Sequence, residues 1–151
     1  MEFPRIWRSP FSDFRDGSHD IDDETVTANA VYTDEELARI AVSGFNAIWV
    51  HGELHHMAKS SVFPEFGVNA KLHVTNMRAL IKRAARYGLK VYVFMQPPLG
   101  LPEEDPFWKA HPHIAGTPMQ WQLNDGSWST YLSTCTSTPE VKKHIFESTK
   151  R

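Results

Sequence analysis

A repeated helix–glycine–strand unit limits this chain to a narrow set of folds. In the first copy Leu37, Ile40 and Ala41 recur at i, i+3 and i+4, one face of a helix. Thr33 stands as an N-cap before Asp34, Glu35 and Glu36, an acidic first turn that suits the positive end of the helix dipole. Gly44 falls where such a helix ends in a left-handed residue, and Ala47-Ile48-Trp49-Val50 reads as a buried strand. In the second copy Thr75 or Asn76 is the expected cap. Met77, Leu80, Ile81 and Ala84 form the expected apolar face, and Lys82, Arg83 and Arg86 the basic end. Gly88 closes the helix, and Val91-Tyr92-Val93-Phe94 is the next apolar strand. Gly44 and Gly88 are 88 − 44 = 44 residues apart, and Leu37 and Ile81 are 81 − 37 = 44 apart. Apolar strands that each follow a helix imply a parallel sheet covered by helices.

An earlier strand is expected at Arg5-Ile6-Trp7-Arg8. A third helix opens near Thr138, with Pro139 at its first position and Val141 and Ile145 four apart. The order is therefore β, α, β, α, β, α. Helix-to-strand connections are short, whereas residues 51–74 and 95–137 make long strand-to-helix connections, a length that usually carries function. The second of these holds Gln120-Trp121-Gln122-Leu123, Asn124-Asp125-Gly126, then Trp128 and Tyr131, the pattern of a β-hairpin. Elaboration thus gathers at the C-terminal ends of the strands, where barrels and doubly wound sheets keep their sites. No Gly-x-Gly-x-x-Gly or phosphate loop follows the first strand. The expected fold class is α/β: the N-terminal βαβαβα portion of a TIM (β/α)8 barrel, incomplete, with a long third βα loop carrying a hairpin. A complete barrel takes roughly 200 to over 400 residues. The 151 residues here are read as one partial domain, 1–151, truncated before the fourth strand.

A formal charge of −2 argues against a dedicated nucleic-acid or membrane-surface binder, and no apolar run reaches bilayer-spanning length. Cys135 is the single cysteine, so no intramolecular disulfide forms; a small buried thiol is the expectation. The start, Met1-Glu2-Phe3-Pro4-Arg5, lacks the basic and apolar regions of a signal peptide, which favours a cytoplasmic location.

The candidate site residues lie at the ends of the strands. His51, Glu53 and His55 share a face at period two if the second strand continues, and two imidazoles with a carboxylate can hold a metal. The alternative is a polar strand end lining a sugar cleft without metal, which is the preferred expectation; no cofactor is called for. Arg8 ends the first strand and offers a planar fork to a ligand, or else pairs with Asp13 or Asp16. Gln96 at the end of the third strand either meets a sugar hydroxyl or bonds loop backbone. Trp108, Trp121 and Trp128 bring flat rings to the long loop, near His111 and His113. Such rings pack on sugar C–H faces or form a small core under the hairpin. Glu103, Glu104 and Asp105 read as a solvated acidic turn.

Two segments carry a family resemblance: Gly44-Phe45-Asn46-Ala47-Ile48-Trp49-Val50-His51 and Ala84-Ala85-Arg86-Tyr87-Gly88-Leu89-Lys90-Val91-Tyr92-Val93-Phe94. They resemble the N-terminal part of glycoside hydrolase catalytic barrels, in particular the hexosaminidase-like group around family 20. The resemblance implies a carbohydrate substrate and places Arg8 where the family's first-strand arginine binds sugar hydroxyls. It also implies a catalytic Asp-Glu pair at the end of a fourth strand, so no residue of this chain is assigned to that pair. Gly52-Glu53-Leu54 and Phe94-Met95-Gln96-Pro97-Pro98 stand where the family has other acidic motifs. The chain is therefore read as a glycoside hydrolase fragment that supplies carbohydrate-binding loops and is inactive alone, with possible self-association through open sheet edges. The other readings are a metal-dependent barrel enzyme using His51, Glu53 and His55, and a non-catalytic open frame or sugar-binding remnant.

Overall fold

Three apolar runs pair side by side at the centre of the molecule. In the computed structural model, which describes residues 3–8, 24–96, 101–122 and 126–150, they are β1 (Ile6–Arg8), β2 (Ala47–Glu53) and β3 (Lys90–Gln96). All run parallel in the order β1-β2-β3. Trp49 lies opposite Arg8 on one side and Tyr92 on the other; His51 faces Phe94, and Glu53 faces Gln96. One face of this sheet is covered by α1 (Glu24–Val31), α2 (Asp34–Val42) and α4 (Ala70–Ala85). Leu37, Ile40, Ile48, Val50 and Leu80 are fully buried between the layers, each worth about 1.5–3 kcal/mol relative to exposure.

The repeat expected from the sequence is present, with its details moved. Thr33 caps α2, accepting the Glu36 N–H at 3.2 Å, and Gly44 and Gly88 both take positive φ at the helix ends. α4 begins at Ala70, so Thr75 and Asn76 lie inside it rather than capping it; the Thr75 hydroxyl bonds back to the Lys71 carbonyl at 2.7 Å. Its buried residues are His73, Met77, Leu80 and Ala84, while Ile81 is turned to solvent. The polar His73 on the inner side hid the helix's first turns from an apolar count. α1 was not expected, because its inner side is Glu24, Thr25 and Ala28 rather than an apolar stripe. Arg83 of α4 holds its last turn, donating to the Asn29 carbonyl at 3.0 Å and the Tyr32 carbonyl at 2.8 Å. β2 also ends sooner than the period-two reading required: Leu54–Met57 form a helical turn, α3, so His55 is not on the strand.

The two long connections pack on each other. The second contains β4 (Leu101–Pro102), α5 (Pro106–Ala110), a 3-10 turn (Pro112–Ile114), β5 (Ala115–Gln122) and β6 (Trp128–Thr134), and α6 (Pro139–Thr149) follows. The expected hairpin is β5–β6, pairing Gln122 with Trp128; residues 123–125 of its turn lie outside the described residues. β4 adds a third strand, giving an antiparallel sheet in the order β4-β6-β5. Asp105 of the acidic turn has a structural task, accepting the Phe107 N–H at 2.8 Å as the cap of α5. Phe63 and Phe66 from the first connection meet Phe107, Trp108, Ile114 and Val141 in a second core. The molecule is thus a mixed α/β structure with a parallel and an antiparallel three-stranded sheet.

Two sites in this frame are sensitive to single changes. Gly67 has φ +70°, and its N–H donates to the His55 carbonyl at 2.7 Å, which ties the first connection to the end of β2. A Cβ there would overlap the backbone of Ala58 and Lys59. Gly67→Ala should cost more than about 3 kcal/mol, since steric overlap adds to backbone strain. Gly44→Ala, with open space around its Cβ position, should cost about 1–2 kcal/mol from backbone handedness alone. Urea denaturation of both variants checks the ranking; equal losses would count against the close approach at Gly67.

His144 is fully buried beside Phe63 and Phe66, with ring centroids 5.7 and 5.0 Å away. Its Nδ1 is 3.3 Å from the Ser148 hydroxyl, and its Nε2 has no hydrogen-bond partner among the described residues. Burial pushes this imidazole below its ordinary 6.5, outweighing the upward pull of Glu147. The unfolded chain therefore binds the proton first as pH falls. The stability contributed by neutral His144 should be complete above pH 6.5 and be lost as pH drops through the lowered folded value. The check is urea unfolding from pH 7.5 to 4.5 for wild type and His144→Leu. The variant should lose less stability over that range, and parallel curves would contradict the assignment.

Candidate functional site

Alternation along β2 separates its side chains into two layers. Ile48 and Val50 enter the helix-side core, and Gly52 follows them, its Cβ position 3.1–3.3 Å from Met95 Sδ, Thr25 Cγ2 and Met57 Sδ. Trp49, His51 and Glu53 therefore face the other way. From β1, Arg8 joins them, its guanidinium 4.1 Å from the Trp49 ring centroid, a cation–π contact. From β3 come Tyr92, Phe94 and Gln96; the Gln96 side chain lies outside what the structure describes.

The rings of this face form a floor. Trp49, His51 and Phe94 stack with centroids 5.7–6.0 Å apart and interplanar angles of 22–29°. Phe94 and Tyr92 are 39% and 50% exposed, and Arg8 is exposed too. His51 and Glu53, expected to line an open cleft, are instead enclosed at 1% and 2% exposure. Glu53 lies between two imidazoles, with Oε1 3.6 Å from His51 Nε2 and Oε2 3.8 Å from His55 Nδ1. Those distances are longer than direct hydrogen bonds. His55 reaches Glu53 from the α3 turn, not from the strand.

Contacts continue around the strand end. The His55 and His56 rings are 4.1 Å apart, and His56 stacks on His73 at 5.4 Å and 12°. His73 Nδ1 is 2.7 Å from the Thr25 hydroxyl, and Glu24, the next residue in the same turn, accepts the His51 backbone N–H at 2.6 Å. Among the described residues no group of three or more His, Cys, Asp or Glu is arranged to hold a metal ion.

The other candidates stand apart. Trp108 is buried in the second core and donates its indole N–H to the Pro102 carbonyl at 3.0 Å, so it supports the hairpin rather than presenting a face. Trp121 and Trp128 are 60% and 64% exposed. Trp121 pairs with Ser129 and Trp128 with Gln122, which places the two rings on opposite faces of the hairpin. They cannot form one stacking platform together. Cys135 is a half-buried free thiol. Asp13 and Asp16, the alternative partners of Arg8, lie outside the described residues. Sequence reading had not singled out Trp49, Tyr92 or Phe94, although strand parity with His51 and Gln96 marks all three. Glu24 and Thr25 had no local signal.

No family model and no curated protein sequence matches the chain. Among solved structures it is similar to the galactosidase domain of alpha-galactosidase-sucrose kinase, with a TM-score of 0.56 and 19% identity. The match covers 99% of this chain and 19% of that one, so the chain spans under a fifth of its neighbour's length. The likeness shows a fold shared with part of that domain, and it gives no support to the hexosaminidase-like group in particular.

Gly52 separates His51 from Glu53, and the crowding at its Cβ position comes from two flexible thioethers and a methyl group. Gly52→Ala should cost about 1–3 kcal/mol, as overpacking does. Adding Met95→Ala to that variant should recover part of the loss relative to Met95→Ala alone. A double-mutant cycle by thermal unfolding measures the coupling, and additive effects would show that Met95 does not press on this position.

Proposed function

We propose that the chain is part of a glycoside-hydrolase-type (β/α) barrel and that the Trp49–Phe94 floor, beside Arg8, receives a sugar ring. The observation that carries this is the stacked aromatic floor with a cation over Trp49, running along one face of a parallel sheet toward its C-terminal end at Phe94. Parallel α/β folds bind ligands at that end. A sugar packs its C–H face on flat rings, and a guanidinium donates to its hydroxyls. Gln96 and the hairpin's Trp121 or Trp128 are proposed as further sugar contacts, and Glu53 follows His51 on the same face of β2.

The chain is proposed to bind without hydrolysing. Glycoside hydrolysis takes two carboxyl groups on either side of the scissile bond. Among the described residues, Glu53 is the one carboxylate on this face of β1–β3, and it is buried. The barrel itself, as a continuation past β3, belongs to this proposal, as does self-association through the outer edges of β1 and β3, to which no further strand pairs among the described residues. A metal-dependent reading has one favourable observation, the Glu53 carboxylate flanked by His51 and His55.

Calorimetric titration tests the proposal. Galactose is the first probe, given the neighbour, and N-acetylglucosamine tests the family 20 likeness. Binding of either with a dissociation constant on the order of 1 mM, about −4 kcal/mol, is expected. Trp49→Ala and Phe94→Ala should each weaken it about tenfold, the loss of roughly 1.4 kcal/mol of stacking. Nitrophenyl glycosides should stay intact. Turnover lost on Glu53→Gln would overturn the non-catalytic reading. One equivalent of divalent metal in purified protein, lost on His51→Ala, would move the assignment to the metal-dependent enzyme.

A further inference from the structure

We infer that Glu24 is a positioning residue for the aromatic floor, its buried carboxylate taking the His51 N–H beyond the point where β1 pairs with β2 and so fixing His51 against Trp49 and Phe94. The functional half of this inference rests on the sugar-site reading above; the structural half does not.

β1 covers β2 only as far as the pairing of Arg8 with Trp49. The His51 N–H lies beyond that point, in a residue 1% exposed. A buried backbone donor needs an acceptor, and among the described residues no strand pairs with β2 on that side beyond Trp49. Glu24, 27 positions earlier in the chain, takes that role: its Oε2 accepts the N–H at 2.6 Å, a short hydrogen bond. The side chain is 3% exposed, and its Oε1 is buried with no hydrogen-bond partner among the described residues. A carboxylate is rarely enclosed in this way. Here one oxygen is spent wholly on the strand and the other is left without a donor, so local satisfaction of Glu24 does not account for its burial.

The adjacent residue strengthens the same grip. Thr25 is fully buried, with its hydroxyl 2.7 Å from His73 Nδ1 and its methyl beside Gly52. The first turn of α1 therefore holds the end of β2 from the helix side at two successive residues. On the opposite side, the His51 ring completes the stack with Trp49 and Phe94. Moving the His51 backbone would tilt that ring and disturb the floor, and the bond to Glu24 holds that backbone.

The test uses the full chain labelled with nitrogen-15 and carbon-13. In wild type, a coupling across the hydrogen bond should connect the His51 amide nitrogen to the Glu24 carboxyl carbon. In Glu24→Ala, amide exchange at His51 should rise about tenfold to 100-fold relative to Val50, as expected when a hydrogen bond to a charged group is lost. Galactose affinity should fall about fivefold or more, with the far-ultraviolet spectrum unchanged. Glu24→Gln, which keeps an acceptor oxygen, should restore most of the protection and the affinity. If Glu24→Ala does not fold, the wild-type coupling and the Gln variant decide the structural half. No coupling in wild type, or unchanged His51 exchange in a folded Ala variant, overturns the inference. So does raised exchange with unchanged galactose affinity. If wild type binds no sugar while the coupling and the exchange effect are present, the sugar-site reading fails and the anchoring of His51 by Glu24 stands.

Discussion

β2 is paired with β3 along its whole length and with β1 over Ala47–Trp49, and that central placement forces a division of labour on its side chains. Every second residue must enter the helix layer, where Ile48 and Val50 are sealed by Leu37, Ile40, Met77 and Leu80. The residues between them, Trp49, His51 and Glu53, must then face away from the helices. A one-residue slip would drive an indole, an imidazole and a carboxylate into the apolar core. The register with β1 and β3 is thus held by burial as well as by backbone bonds, and the position of every group on the floor follows from it. Gly52 belongs to the same constraint: it lies on the crowded side, where the sulfurs of Met57 and Met95 and the Thr25 methyl leave little room for a side chain.

The loops that leave the ends of β2 and β3 are long because they build a core of their own. Phe63 from one loop meets Phe107 from the other edge to face at 5.5 Å, and Phe66 stacks on Phe107 at 4.8 Å. His111 reaches back to Glu65 at 3.0 Å. Gly67 ties this second core to the chain just after β2 through the His55 carbonyl. The antiparallel sheet is thereby fixed relative to the α3 turn that carries His55. Rigid support around a strand end is what a ligand site requires, since a small displacement of recognition groups weakens binding sharply.

Several of these features were legible from residue order alone. Apolar runs bounded by Gly44 and Gly88 marked β2 and β3, the Thr33 cap marked α2, and the Asp-Gly turn signal marked the hairpin. Each of these is set by local chemistry. What was illegible depends on groups far apart in sequence. α1 has no apolar stripe because its inner side is spent on a hydrogen bond to His51 and a contact with His73. The start of α4 was misplaced because His73 occupies a core position that a purely apolar pattern passes over, and Ile81 was counted inward although it is turned to solvent. Trp108 looked like a candidate ligand platform because nothing nearby in sequence shows that Phe63 and Phe66 arrive to bury it. His55 was assigned to the strand by parity, whereas the chain turns after Glu53 and brings His55 to the same carboxylate by another route.

The central claim is that the far face of β1–β3 is a sugar floor. A crystal structure of the chain soaked in galactose tests it most directly. The account predicts one sugar ring stacked on Trp49 or Phe94, with a hydroxyl within about 3 Å of the Arg8 guanidinium. A sugar seated on Trp121 or Trp128 of the hairpin, with this face empty at saturating galactose, would contradict it.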